Sequence, residues 1–285
     1  MARQQHQVTF VTTFDYDAES SWKQMVIHGA RTGLPSGRGP SFESSGTFGP
    51  KVGIWRVLDL LREYEVPATF FTPGWVAERH PKTIEAILEH GHEVALHGYL
   101  HEFMDTVVDI EEERMILERG IKALQDTAGV TPAGYRPGYY IYTEWSLDIM
   151  RELGFRYGSA MQDDDAAYVH PGNGRPIVEI PVLWHLTDDL YGWHMNVNMP
   201  PSHVEEHWLT ELRALGRYAD RLFVPTLHPQ SIGHPGRLAM FERVLQAGKE
   251  LNVRFARAVD VADELLARRH RALHFVVNVL PGPLL

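Results

Sequence analysis

A single-domain α/β barrel of parallel strands spanning residues 1–285 is the fold class that the sequence predicts, and three features point to it. Apolar strand-like runs alternate with amphipathic helix patterns along the chain, which favours a parallel sheet. The number of strand–helix pairs suits closure into a barrel better than an open sheet. A chain of 285 residues is also long enough for one sizeable core without a second domain.

The first strand is expected over 8–14, where β-branched and aromatic residues are dense, and it stops at the acidic cluster Asp15, Asp17 and Glu19. Residues 18–50 are rich in Gly, Ser and Pro with little periodicity, and read as a long loop bordering a pocket. A helix over 52–64, a strand over 68–71, a helix over 81–90 and a strand over 92–96 follow, with Gly or Pro between them. An acidic-start helix at 109–127 leads to a strand near 134–136, a helix at 144–153 and a strand at 155–160. Next come a strand at 177–181, a helix at 202–220, a strand at 222–226, a helix at 237–251 and a last strand–helix pair ending near Arg269. The apolar tail at 275–285 is too short to span a membrane and is expected to dock on the domain or on a neighbouring subunit, which points to a homo-oligomer, a dimer or tetramer.

Composition narrows the function. Hydrophobic residues make up 44% and charged residues 22%, an ordinary globular balance. The formal net charge of -10 disfavours nucleic acid and anionic membranes as partners, and no basic patch offsets it. The N-terminal run Met-Ala-Arg-Gln-Gln-His-Gln has no secretory apolar core, so a cytoplasmic location is expected. With no cysteine and 16 histidines, metal binding rests on imidazole and carboxylate groups.

In parallel barrels the catalytic groups gather at the C-terminal strand ends. Asp15 and Asp17 follow the first strand, His97 and His101 follow 94–96, Arg136 follows Gly134, and His228 follows 224–227. His97 and His101 are four apart, a spacing that lets two imidazoles meet one cation in a helical turn or in a tight loop. Asp17 is the natural third ligand, because a His₂-carboxylate set leaves coordination positions open. Taken alone, an H-x-x-x-H pair is more often two ordinary surface or capping histidines. Arg136 could hold Asp15 ionised or form a plain surface ion pair.

The combination of motifs resembles the polysaccharide deacetylase (NodB-homology) hydrolases. Thr13-Phe14-Asp15-Tyr16-Asp17 looks like that family's first motif with one residue inserted between its acids. His97-Gly98-Tyr99-Leu100-His101 looks like the second, Tyr135-Arg136-Pro137-Gly138-Tyr139 like the third, and Leu227-His228-Pro229 like the fifth. The resemblance implies a distorted (β/α) barrel of seven to eight parallel strands. It also implies that Asp17, His97 and His101 bind one divalent metal ion, that Asp15 is the general base and that His228 is the general acid. The chemistry agrees with these roles. A cation supplies an activated water and polarises the carbonyl, a carboxylate removes the water's proton, and a histidine protonates the leaving nitrogen. Zinc is the first expectation for the metal, with cobalt or nickel as alternatives.

The inserted Tyr16, and Gly98 where Ser or Thr is common, are similar to a cytoplasmic subgroup that includes cyclic-imide hydrolases and peptidoglycan-deacetylase-like proteins. Metal-independent allantoinases lack the second histidine, so His101 argues against that option. The fourth family motif is poorly matched at Ile180-Pro181-Val182-Leu183-Trp184, and His185, Asp188 and Asp189 beyond it receive no role. Trp22, Phe42, Phe48, Trp75, Trp184 and Trp193 could stack on a sugar or wall off a small ring, or simply pack in the core; Tyr139 of the third motif joins the substrate-contact candidates.

The expectation is therefore a metal-dependent hydrolase of carbon–nitrogen bonds other than peptide bonds, acting on a small-molecule or sugar amide or imide. A small cyclic imide or ureide is favoured, and an N-deacetylase of N-acetylated sugar or peptidoglycan is the alternative. A non-catalytic metal-containing binding protein is a rival of another class, against which Asp15 and His228 count.

Overall fold

The computed structural model describes residues 6–32, 40–188 and 199–279. One sequence stretch forms β1 (Thr9–Val11) and β2 (Thr13–Asp15) in succession. β3 (Thr69–Thr72), β4 (Glu93–Leu96), β5 (Gly134–Tyr135) and β6 (Tyr157–Gly158) follow, then β7 (Tyr168–Val169) and β8 (Val178–Glu179). β9 (Leu222–Phe223), β10 (Thr226–Leu227) and β11 (Arg254–Ala256) complete the set. Pro225 lacks the N–H a ladder needs, and it sits where the β9–β10 stretch divides.

The main sheet has eight strands in the order β10-β2-β3-β4-β5-β6-β8-β7, and β1 pairs with β9 and β11 below it. Every pairing is parallel except that of β7 with β8. The sheet curls into a half-barrel, and among the described residues its far side meets β10 through one isolated bridge, Thr187 to Thr226. Thr187 thereby places the residue after it beside β10.

Helices cover the sheet. α1 (Ser20–Thr32) and α2 (Pro40–Phe48) come first, and a five-residue π turn, Gly49–Gly53, joins α2 to α3 (Ile54–Glu63). α4 (Gly74–Arg79), α5 (Pro81–Glu89), α6 (Ile110–Ala128) and α7 (Ser146–Leu153) follow. α8 (Pro201–Leu215), α9 (Pro229–Ile232), α10 (Pro235–Glu250) and α11 (Ala258–Val279) complete the layer. α3 shows why they form: Ile54, Val57, Leu58 and Leu61 recur at helical spacing and are buried. α6 starts where the Asp109 side chain accepts the Glu112 amide and stops at Gly129 with φ 66°. The inner strands are covered on both faces, so even their polar residues are buried, as in β4, where Glu93 is buried along with Val94, Ala95 and Leu96.

The stretch read as a loop at 18–50 holds α1 and α2 instead. α2, Pro-Ser-Phe-Glu-Ser-Ser-Gly-Thr-Phe, is made of weak helix formers, so its propensity gives little signal. Tertiary contact holds it: a Cβ on Gly46 would lie 2.4 Å from the carbonyl oxygen of Ala18. The π turn packs as closely, since a Cβ on Gly53 would lie 2.0 Å from the carbonyl oxygen of Pro229. Backbone cannot yield as a side chain can, so Gly53→Ala is expected to cost about 1–3 kcal/mol. Thermal unfolding checks this, and an unchanged Tm would contradict it.

Residues 275–279 of the expected tail fall in α11, and 280–285 lie outside the described residues, as do Asp189, Trp193 and the side chain of Phe42. Among the described residues no helix is long and apolar enough to cross a membrane.

Candidate metal and hydrolytic site

At the C-terminal ends of β2, β4, β5 and β10 the chain brings Asp15, Asp17, His97, His101, Arg136 and His228 into one buried cluster. One ligand atom each from Asp17, His97 and His101 lies within 4.8 Å of the others. His97 Nε2 stands 3.4 Å from Asp17 Oδ1, and His101 Nε2 stands 3.7 Å from Asp17 Oδ2. His97 Nδ1 donates to the backbone carbonyl of Arg136 at 2.7 Å, which leaves the Nε2 lone pair directed at the carboxylate. That Nε2 is buried and has no hydrogen-bond partner among the described residues. Burial pushes the His97 imidazolium pKa down and that of His101 well down, so both rings stay neutral, the form that binds a cation. A buried carboxylate facing two neutral imidazoles, one with an orphaned nitrogen, suits a divalent cation.

The two histidines are presented by a tight loop and not by a helical turn. Gly98 adopts φ 75° and His101 φ 59°. The Glu102 carboxylate lies under the loop and accepts the amides of Tyr99 at 3.0 Å and Leu100 at 2.8 Å. Ala18, Tyr139 and Tyr140 also have positive φ, so left-handed non-glycine residues flank the cluster on three loops.

Asp15 is held from behind. Arg136, fully buried, donates from Nη1 to Asp15 Oδ1 at 2.6 Å and to Thr13 Oγ1 at 3.1 Å, and from Nη2 to Ser159 Oγ at 2.8 Å. Burial alone would raise the Asp15 carboxyl pKa, but Arg136, then His97 and His228, outweigh it and hold the group below the usual carboxylate range. Asp15 Oδ2 lies 3.8 Å from His97 Nε2. Arg136 is therefore no surface ion pair.

His228 approaches from the other side, with Nε2 3.7 Å from Asp17 Oδ2. Its Nδ1 meets Asp188 Oδ1 at 2.6 Å, and its backbone amide donates to Asp188 Oδ2 at 3.0 Å. Asp188, given no role from the sequence, thus fixes the ring with Nδ1–H toward the carboxylate and Nε2 toward the cluster. No spacing signal separated Asp188 from its neighbours; only the Thr187 bridge to β10 puts it there. Asp188→Asn offers an amide that can donate where a carboxylate accepts, which favours the wrong tautomer. A fall in kcat on the order of 10²-fold is expected in steady-state kinetics, and a wild-type kcat would contradict the assigned orientation.

A polysaccharide deacetylase family model matches residues 47–158, a span that includes His97, His101 and Arg136. A solved structure from Mycobacterium smegmatis classed as a polysaccharide deacetylase is 33% identical, covers 94% of this chain and 93% of that one, and superposes with a TM-score of 0.80. The chain belongs to the polysaccharide deacetylase family.

Two other likenesses extend over most of this polysaccharide deacetylase family member. The peptidoglycan deacetylase of Helicobacter pylori is 28% identical over 290 residues, covering 90% of this chain and 96% of that protein. The crystal structure of an allantoinase is 27% identical, with a TM-score of 0.79 and coverage of 91% and 90%.

The aromatic candidates part company. Tyr139 and Trp184 line one groove of about 660 Å³ with Tyr140, Tyr142, Ala160 and Met161. Tyr139 also stacks on Phe103 at 4.1 Å and meets the His101 ring edge-on at 4.7 Å, so this groove adjoins the buried Asp17, His97 and His101 cluster. Trp184 is 48% exposed at its rim. Phe48 instead stacks on His234 at 4.1 Å, Trp22 is buried in α1, and Trp75 packs on the core under Lys23. Those three are not brought to the groove.

Proposed function

We propose that the chain is a metal-dependent hydrolase of carbon–nitrogen bonds in which Asp17, His97 and His101 hold one divalent cation, zinc first. The observation that carries this is the pairing of two oriented groups on either side of that triad: Asp15 fixed by Arg136, and His228 fixed by Asp188. When bound, the cation supplies Lewis acidity toward a carbonyl oxygen and toward water. Asp15, kept ionised, takes the proton of the attacking water. His228 presents Nε2 to the leaving nitrogen and protonates it, while Asp188 keeps Nδ1–H in place and stabilises the imidazolium. Arg136 offsets one of the buried carboxylates and so stabilises the charged resting cluster.

A non-catalytic role for the metal accounts poorly for this arrangement, since a structural ion needs neither a base nor an acid beside it. For the substrate, deep burial of the triad and a groove of about 660 Å³, within the size range of small-ligand sites, support a small cyclic imide or ureide. The likeness to an allantoinase fits that class. The second reading, N-deacetylation of a sugar or peptidoglycan fragment, is favoured by the Helicobacter pylori relative and by the exposed Trp184, which offers a flat face to a pyranose ring. A paired assay with and without chelation separates them. Chelator-sensitive opening of succinimide, glutarimide or hydantoin rings supports the first, and chelator-sensitive acetate release from N-acetylglucosamine oligomers supports the second. Activity on neither class tells against both.

A further inference from the structure

A second buried histidine–carboxylate pair lies beside the groove and takes no part in the proton transfers. Glu179, at the end of β8, is fully buried, and His170 Nε2 lies 2.7 Å from its Oε2. The Tyr142 hydroxyl donates to the same oxygen at 3.3 Å. Oε1 accepts two successive backbone amides, Ala160 at 2.6 Å and Met161 at 2.9 Å. Tyr142, Ala160 and Met161 all line the groove beside Tyr139 and Trp184. Gly158 leaves room for this arrangement, since a Cβ there would lie 1.9 Å from the Tyr142 hydroxyl.

We propose that Glu179, backed by His170, is a positioning residue that sets the floor of this groove and so governs which substrates bind, not how fast they are cleaved. It rests on the groove being the substrate's approach to the triad. The separation from the chemistry follows from how Ser159 is held. Ser159 anchors Arg136, yet its own amide donates to the Tyr135 carbonyl at 3.1 Å and its hydroxyl to the Ile180 carbonyl at 2.8 Å. Arg136 and Asp15 therefore keep their places when the Glu179 bonds to residues 160 and 161 are lost. Truncating Glu179 leaves two amide donors and a buried histidine without their acceptor, which is costly, so truncation should release the floor and not merely soften it.

Glu179→Ala is expected to raise KM about 10-fold, the worth of one charge-assisted hydrogen bond, with kcat within about 3-fold of wild type. Glu179→Gln keeps an oxygen for both amides and is expected to restore KM to near the wild-type value. Hydrogen exchange gives a reading that needs no substrate: the amides of Ala160 and Met161 lose protection in Glu179→Ala and keep it in Glu179→Gln. Should Glu179→Ala fail to fold, His170→Ala carries the test, with a KM increase of about 3-fold at unchanged kcat expected from the loss of one donor. Unchanged KM with unchanged exchange at 160 and 161, or a loss confined to kcat, would overturn the proposal. A wild type inert on both substrate classes tells against the reading of the site, and the exchange measurement then decides on Glu179 alone.

Discussion

Asp15→Asn is expected to lower kcat by about 10²- to 10⁴-fold while the protein keeps its fold and its metal. Asparagine has nearly the shape of aspartate, and its amide oxygen can still accept from Arg136 Nη1, which now stands 2.6 Å from Oδ1. What it cannot do is take a proton. Asp15 is not one of the three residues whose ligand atoms converge within 4.8 Å, so metal content should be unaffected. Steady-state kinetics with elemental analysis of the same sample checks both halves. A variant retaining wild-type kcat would remove Asp15 from the chemistry and favour the rival, non-catalytic reading of the metal.

His101→Asn is expected to abolish hydrolysis by emptying the metal site. Asparagine tolerates the left-handed backbone that position 101 adopts at φ 59°, where alanine would add strain, so the loop is preserved. The amide is a poor replacement for an imidazole, and two remaining ligands hold a cation weakly, so affinity should fall by more than about 10²-fold. Zinc titration by calorimetry, with circular dichroism to verify the fold, measures this. An affinity close to wild type would show that the ion is held elsewhere.

Much of this was legible in the chain. Alternating strand and helix patterns located the parallel sheet, because strands covered on both faces are rich in β-branched and aromatic residues and the helices between them are amphipathic. The order of Asp15, Asp17, His97, His101, Arg136 and His228 along the sequence marked successive strand ends, and the fold converges them. Three features were not legible, each for a tertiary reason. α2 lacks helix propensity and is held by the contact of Gly46 with Ala18. Asp188 looks like any other acid until Thr187 bridges to β10. Glu102 and Glu179 act through backbone amides, whose directions depend on loop conformation and leave no residue pattern to read. The aromatics divide by position: Tyr139 and Trp184 line one groove, while Phe48 is stacked on His234.

The proposed cation at Asp17, His97 and His101 is tested most directly by stripping the wild-type protein with a chelator and restoring zinc in measured steps. Loss of hydrolysis on stripping, with recovery linear to one equivalent per chain and flat beyond it, is the expected result. Full activity in the stripped protein, or recovery that breaks at a different stoichiometry, would contradict it.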